Sequence, residues 1–301
     1  MTVSVILCTH NPDRKLLDWA LDSLVRQTQR DFQTVIVDNN SNPPLDEGGL
    51  RAGHPLELRV IREPRQGLTA ARCAGIAAAS GALIVFVDDD NHLDPDYIEQ
   101  AVRIAHSQPA IGHFGGIARA ALASPIPEWK RKLLPYLGVR DHGPEPITST
   151  ADHWGRWEPI GAGMVTRREV ALHFAAWVHE CRESERLGRN GTGLMSGEDS
   201  LMARAASRLG YACSYQPALK LTHFVKPRRL RPATLARTLE GHGRSYVVLE
   251  RVLGRAVPRP SFHWICEQLV LRWLFRVRQD GVRAGTIAWF WDVGFIRQAR
   301  G

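Results

Sequence analysis

Long apolar runs are missing from this sequence. No stretch reaches the roughly 18 uninterrupted apolar residues that a membrane-spanning helix needs, so contact with lipid is expected only at a bilayer surface. Paired cysteines are missing too: Cys8, Cys73, Cys181, Cys213 and Cys266 form neither a close pair nor a cluster with metal-ligand spacing. This argues against a disulfide framework and a structural zinc site, and a reducing cytoplasm is the expected compartment. The opening "MTVSVILCTHNP" has no basic leader, and its apolar run is too short for a signal peptide, so export is not expected. There is no internal repeat and no low-complexity tract, which sets aside solenoids and disordered arrays.

What is present is enough apolar material for a sizeable core: 44% of 301 residues. That suits one large domain or a domain with an appendage. The net charge of +8 is unevenly spread. Residues 221–301 carry 15 Lys plus Arg against 5 acids, a net of +10, which leaves 24 against 26 in the first 220. In that tail, aromatics alternate with arginine ("FHWICEQLVLRWLFRVRQDGVRAGTIAWFWDVGFIRQAR"), a pattern of amphipathic helices. Such helices either pack on the main domain or lie on an anionic membrane surface.

Strands alternate with helices over the first 110 residues. "VSVILC" is a continuous apolar strand, and Asn11-Pro12 are expected to cap and open a helix carrying Leu17, Leu21 and Leu24 on one face. "TVIVDNNS", "LELRVIREP" and "ALIVFVDDD" are further strands. "GLTAARCAGIAAASG" is a helix of small residues, and Asp94-Pro95 opens another. This βαβα order predicts a mainly parallel, doubly wound sheet.

Ligands of open α/β sheets sit beyond the carboxyl ends of the strands. Three strands here end in candidate ligand groups: Thr9-His10-Asn11, Asp38-Asn39-Asn40 and Asp88-Asp89-Asp90. Three adjacent acids repel one another unless water or a cation intervenes. A hard cation, Mn²⁺ or Mg²⁺, relieves that repulsion and typically binds one or two carboxylates together with substrate phosphates.

The succession "VSVILCTHNP", "VIVDNNS", "GLTAARCAGIAAASGALIVFVDDD", "GEDSLMARAASRLGY" and "LTHFVKPRR" resembles inverting glycosyltransferase family two, with a GT-A fold, over about residues 3–230. The resemblance implies transfer of a sugar from a nucleotide-diphosphate donor (a UDP-, dTDP- or GDP-sugar) to a hydroxyl of a glycan, glycolipid or other acceptor, dependent on Mn²⁺ or Mg²⁺ at a DxD-type motif. Thr9, Asn11, Asp38, Gly67, Arg72, Asp88 and Asp89 fall at donor-binding positions. Asp38 matches the base-contacting acid, and Arg72 wants an anionic partner, either the diphosphate or an acid such as Asp88. Asp90 matches the principal metal ligand, with Asp88 near the ribose or metal and His223 completing the shell. Asp89 is otherwise expected to face solvent. In "GEDSLMARAASRLGY" the pair Glu198-Asp199 holds the catalytic base, assigned to Asp199. The helix is expected to turn Leu201, Ala205 and Leu209 inward and to stop at Gly210. The family often has another acid two residues after that aspartate; here Ser200-Leu201 follow.

Arg228, Arg229 and Arg231 are expected to close over the diphosphate or to meet lipid phosphate. Gly161 and Gly163 in "EPIGAGM" would allow close backbone approach beneath the acceptor. Residues 120–160 have no clear period and are expected to form an acceptor-side loop. The expected organisation is a catalytic domain over 1–225, with donor half 1–115 and acceptor half 116–225, followed by a basic helical region over 226–301. Two other readings compete. A nucleotidyltransferase would more usually carry a glycine-rich phosphate loop, which "LCTHNPDRK" lacks. A non-enzymatic membrane or nucleic-acid binder would rest on the tail alone, leaving the acidic motifs without a role. For the transferase, no nucleic-acid partner is expected.

Overall fold

The structure is a computed structural model; it describes residues 1–191, 193–257 and 259–300. The strands are β1 (Val3–Thr9), β2 (Phe32–Asp38), β3 (Leu58–Arg62), β4 (Leu83–Asp88), β5 (Asn91–Leu93), β6 (Ile111–Leu122), β7 (Ile147–Ser149), β8 (Val165–Arg167) and β9 (Ala212–Val225). The helices are α1 (Arg14–Val25), α2 (Glu47–Gly53), α3 (Leu68–Ala78), α4 (Tyr97–Ser107), α5 (Glu128–Arg131), α6 (Arg168–Glu180), α7 (Glu198–Arg208), α8 (Pro232–Val252), α9 (Phe262–Asp280) and α10 (Val282–Arg300). The strands form one sheet in the order β3-β2-β1-β4-β8-β6-β9-β5, with β7 on β9.

Every residue of β1 is buried, because parallel neighbours flank it and helices cover both faces. Strand periodicity divides its side chains. Val3, Val5 and Leu7 pack with Leu17, Leu21 and Leu24 of α1 and Ile98 and Ala101 of α4. Ile6 and Cys8 pack on the other face with Ala71 and Ile76 of α3 and Phe174 of α6. The expected parallel winding runs through β3-β2-β1-β4. Beyond β4 the sheet is mixed, since β8 joins β4 and β6 antiparallel while β6 and β9 pair in parallel. Sequence patterning could not see this, because strand direction depends on long connections.

Three local expectations are corrected. The α1 cap is Asp13, whose carboxylate accepts from the Lys15 amide; Asn11 instead adopts φ 46° in the preceding loop. Leu209 is 41% exposed because it lies one residue past the last turn of α7, while Leu201 and Ala205 are fully buried as expected. Residues 120–160 are not a plain loop: they hold the end of β6, α5, a 3-10 turn at Leu134–Leu137 and β7.

Helices α8 and α10 close over this segment. Leu235 and Leu239 of α8 and Ala284, Ile287 and Ala288 of α10 share a buried cluster with Leu133, Leu134, Leu137 and Val225. A β-carbon on Gly243 would sit 1.9 Å from the Trp291 carbonyl oxygen, and one on Gly294 2.0 Å from that of Glu240, so these glycines set the α8–α10 spacing. Among the described residues no helix is long and apolar enough to cross a membrane.

Candidate active site

The order β3-β2-β1-β4 makes the edge between β1 and β4 a switch point, where chain connections leave in opposite directions and a crevice opens. Cys8 lies in register with Asp88 there, so Thr9 and the acidic triplet leave the sheet side by side. They line a cleft of about 620 Å³ with Gly67, Arg72, Glu198, Asp199 and His223. That is the size of an ordinary small-molecule site. The cleft therefore gathers nine of the eleven residues that the resemblance puts at donor-binding, metal or catalytic positions: Thr9, Gly67, Arg72, Asp88, Asp89, Asp90, Glu198, Asp199 and His223.

Neither Asn11 nor Asp38 lines the cleft: Asn11 is exposed on the loop after β1, and Asp38 is buried behind the cleft wall. Asp38 is 2% exposed, and its two oxygens accept the amides of Ser41 (2.8 Å) and Leu45 (3.1 Å). Burial alone would raise its pKa, but the Ser41 and Leu45 hydrogen bonds outweigh it and hold the carboxyl below its usual range. Asn11 ties the same loop, its amide donating to Ser41 Oγ and its Oδ1 accepting from Asn42 N. Gly67, at φ 147°, caps α3 and donates its amide to Asn39 Oδ1.

Within the triplet, Asp89 does not turn to solvent. It accepts from Thr9 Oγ1 at 2.5 Å and lies 4.0 Å from Lys226 Nζ, with a side chain only 17% exposed. Asp90 lies 3.5 Å from His223 Nε2. Burial and the neighbouring Asp89 lift Asp90 to about 6, against Lys226 and Arg229. His223 is lowered to about 4 by burial and by Arg229, so it is neutral. Its Nδ1 contacts the Gly138 carbonyl at 3.3 Å, which leaves the Nε2 lone pair facing Asp90 and Arg229. Burial, and Asp90 beside it, raise Asp88 as well, against Arg72. This donor set of carboxylates plus one neutral imidazole fits a hard divalent cation. Among the described residues no group of three or more His, Cys, Asp or Glu is arranged to hold a metal alone; a ligand's oxygens would fill the rest of the shell.

Arg72 is 1% exposed, and its guanidinium donates to Glu198 Oε1 at 2.8 Å and lies 3.8 Å from Asp88. Its anionic partners are thus protein acids. Glu198 is spent on this pair and on the Gly197 amide at 3.1 Å. Asp199, also on the first turn of α7, accepts from the Gly161 amide at 3.0 Å. The "EPIGAGM" segment reaches α7 because Gly161 and Gly163 let it: a β-carbon on Gly161 would sit 2.7 Å from Arg72 Nη2, and one on Gly163, at φ 70°, 2.3 Å from Leu221.

Of the three arginines expected to form a lid, only Arg229 lines the cleft; Arg228 and Arg231 are exposed outside it. The 3-10 turn at Pro227–Leu230 sets consecutive side chains about 120° apart, so Arg228 and Arg229 point in different directions, and Arg231 follows the turn in extended backbone. The cleft's other cations, Arg189 and Lys226, were missed, as was His242 of α8. Lys226 stood in the quoted motif; Arg189 had no sequence signal. Also missed was Glu158, buried against Arg204, with Ser200 donating to it. An acid placed just before "PIGAG" was the available clue.

The model for glycosyl transferase family 2 matches residues 4–173, more than half of the chain. A putative glycosyltransferase, EpsH, of Bacillus subtilis strain 168 is 34% identical over 106 residues, covering 34% of this chain and 30% of that protein. The glucosyl-dolichyl phosphate glucuronosyltransferase of Haloferax volcanii is 24% identical over 131 residues, 43% of this chain and 40% of that one. The matched part thus spans about a third of the length of such relatives. Among solved structures, GalNAc-T7 with UDP, GalNAc and Mn²⁺ superposes with a TM-score of 0.55 at 14% identity, over 97% of this chain and 55% of that one. Staphylococcus aureus TarS does so with a TM-score of 0.52 at 17% identity, over 96% and 55%. These likenesses show a GT-A fold. Together with the strand-end acids and the α7 carboxylates, the family match means that the chain belongs to glycosyl transferase family 2.

Proposed function

We propose that the protein is a metal-dependent, inverting glycosyltransferase that moves a sugar from a nucleotide-diphosphate donor to an acceptor hydroxyl of a glycan or glycolipid. The observation that carries this reading is that the acidic triplet at the end of β4 and Asp199 at the start of α7 line one cleft. Asp90 and His223, with Asp88 beside them, would hold Mn²⁺ or Mg²⁺. When bound, the cation supplies charge stabilisation to the departing diphosphate.

The chain's own residues do the rest. Arg189, Lys226 and Arg229 offer positive charge to the same phosphates. Arg229 is lowered to about 10 by burial and by Arg189, yet it remains protonated near neutral pH. Arg72 ties Glu198 in an ion pair, whereas Asp199, among the described residues, accepts only backbone amides, from Gly161 and Ser200, which orient it to take the acceptor's proton. A single base facing the sugar away from the leaving group gives one displacement, hence inversion. The five cysteines are all free, in keeping with a cytoplasmic location.

Thermal shift with UDP, dTDP and GDP, with and without Mn²⁺, tests the donor side. A metal-dependent rise in melting temperature is expected with one of them and is lost in Asp90→Ala. Asp199→Asn keeps that rise, while transfer falls on the order of 100- to 10,000-fold. Normal transfer by Asp199→Asn would remove the assignment of the base.

A further inference from the structure

Exposed large apolar side chains concentrate on one helix. Val270, Leu271, Leu274 and Phe275 of α9 are 58%, 50%, 51% and 64% exposed, and Phe262 at its start and Val282 just beyond its end are 72% and 66% exposed. The helix is not loosely placed, because its opposite side is fastened to α10. Arg272 and Arg276 pair with the buried Asp292. Trp273 Nε1 donates to Thr286 Oγ1, and Trp289 Nε1 of α10 donates to the Leu269 carbonyl. Rotating α9 to hide its apolar side would break all four contacts and leave Asp292 buried without a partner. The face is therefore held outward by design of the opposite one.

We infer that this face of α9 lies on an anionic lipid bilayer, with the helix parallel to the membrane plane and its apolar side chains inserted among the acyl chains. Charge favours lipid as the occupant. Exposed Arg259, Arg278 and Arg283 flank the face against Glu267 and Asp280, and the Arg272–Arg276–Asp292 group adds one further positive charge. Anionic headgroups complement that rim. A second copy of the chain packed face to face would set the two arginine rims against each other. Crossing the bilayer is not available to α9, as no described helix has the length and apolarity. Trp264, 37% exposed on the same helix, suits the headgroup boundary. This inference does not depend on the transferase reading.

The test is co-sedimentation of the full chain with phosphatidylcholine vesicles with and without phosphatidylglycerol, at low and high salt. The wild type is expected to sediment with the anionic vesicles and to lose about tenfold or more in partitioning at high salt. Leu271→Glu with Phe275→Glu should lower partitioning about tenfold or more while leaving the melting temperature unchanged, since both positions are exposed. Should that pair fail to fold, Leu274→Ser with Phe275→Ser serves the same purpose. Arg278→Gln with Arg283→Gln should reduce partitioning only to the anionic vesicles. Wild-type protein left in the supernatant at low salt, or apolar-face variants that bind like wild type, would overturn the inference. So would lipid-free dimerisation abolished by Leu271→Glu, which would give the face to a second copy.

Discussion

Arg72 shows how a residue's chemistry was readable while its partner was not. A guanidinium set in "GLTAARCAG" must meet negative charge, but the acid it meets, Glu198, is 126 positions away. Glu158 presents the opposite case: a buried acid whose titration should be measurable. Burial lifts it from an ordinary 4.5 to about 7, against the pull of Arg204 and Ser200. Between those two values the folded protein keeps a proton that the unfolded chain releases. Glu158's own contribution to folding stability should therefore fall as pH rises through that window, and it should be lost above about 7. Because Asp90 and His223 titrate in the same range, with opposite signs, urea unfolding from pH 5 to 8 should be run on the wild type and on Glu158→Gln together. The stability difference between the two should shrink as pH rises towards about 7, which isolates Glu158 from the other groups. A difference that does not change with pH would mean that Glu158 does not titrate in this window.

At the scale of elements, two helix pairings matter. The first is α7 against α3, where the Arg72–Glu198 pair crosses between them and sets Asp199 at the cleft. Acids in a first helical turn are favoured by the helix dipole whether or not they react, so the sequence offered two candidates; the guanidinium's engagement of Glu198 supports the proposal of Asp199 as the base. The second is α8 against α10, which touch through Gly243 and Gly294. Gly243→Ala would push its methyl onto the Trp291 backbone, and one helix must move. A loss of roughly 1–3 kcal/mol is expected, seen as a melting temperature lower by several degrees. A neutral result would mean that the two helices can separate freely. Because His242 and Ser245 of α8 reach the cleft and its bordering Ser196, the same variant should also weaken donor binding.

On the scale of the whole molecule, the basic tail is partly core and partly surface. Helices α8 and α10 share a buried cluster with residues 133–137 and Val225, while α9 rides on α10 with its apolar side outward. A chain ending after Val225 would expose Leu133, Leu134, Leu137 and Val225 to water and strip His242 from the cleft. It is expected to be poorly soluble, with near-UV circular dichroism weakened, whereas the full chain gives a cooperative melt. A truncated form that melts cooperatively would show that residues 1–225 fold without the tail.

The sequence by itself determined the strands, the helices that alternate with them and the polar groups at the strand ends, because each depends on a local pattern: apolar runs, capping residues, acids gathered past a buried strand. It also determined the family, through motifs in a fixed order. Only the tertiary structure decided the mixed second half of the sheet, the pairing of Arg72 with Glu198, the withdrawal of Asp38 behind the cleft wall, and which tail helix shows its apolar side. Those outcomes depend on which residues meet across long stretches of chain. A pattern of neighbours records what each residue needs, but not which distant residue supplies it.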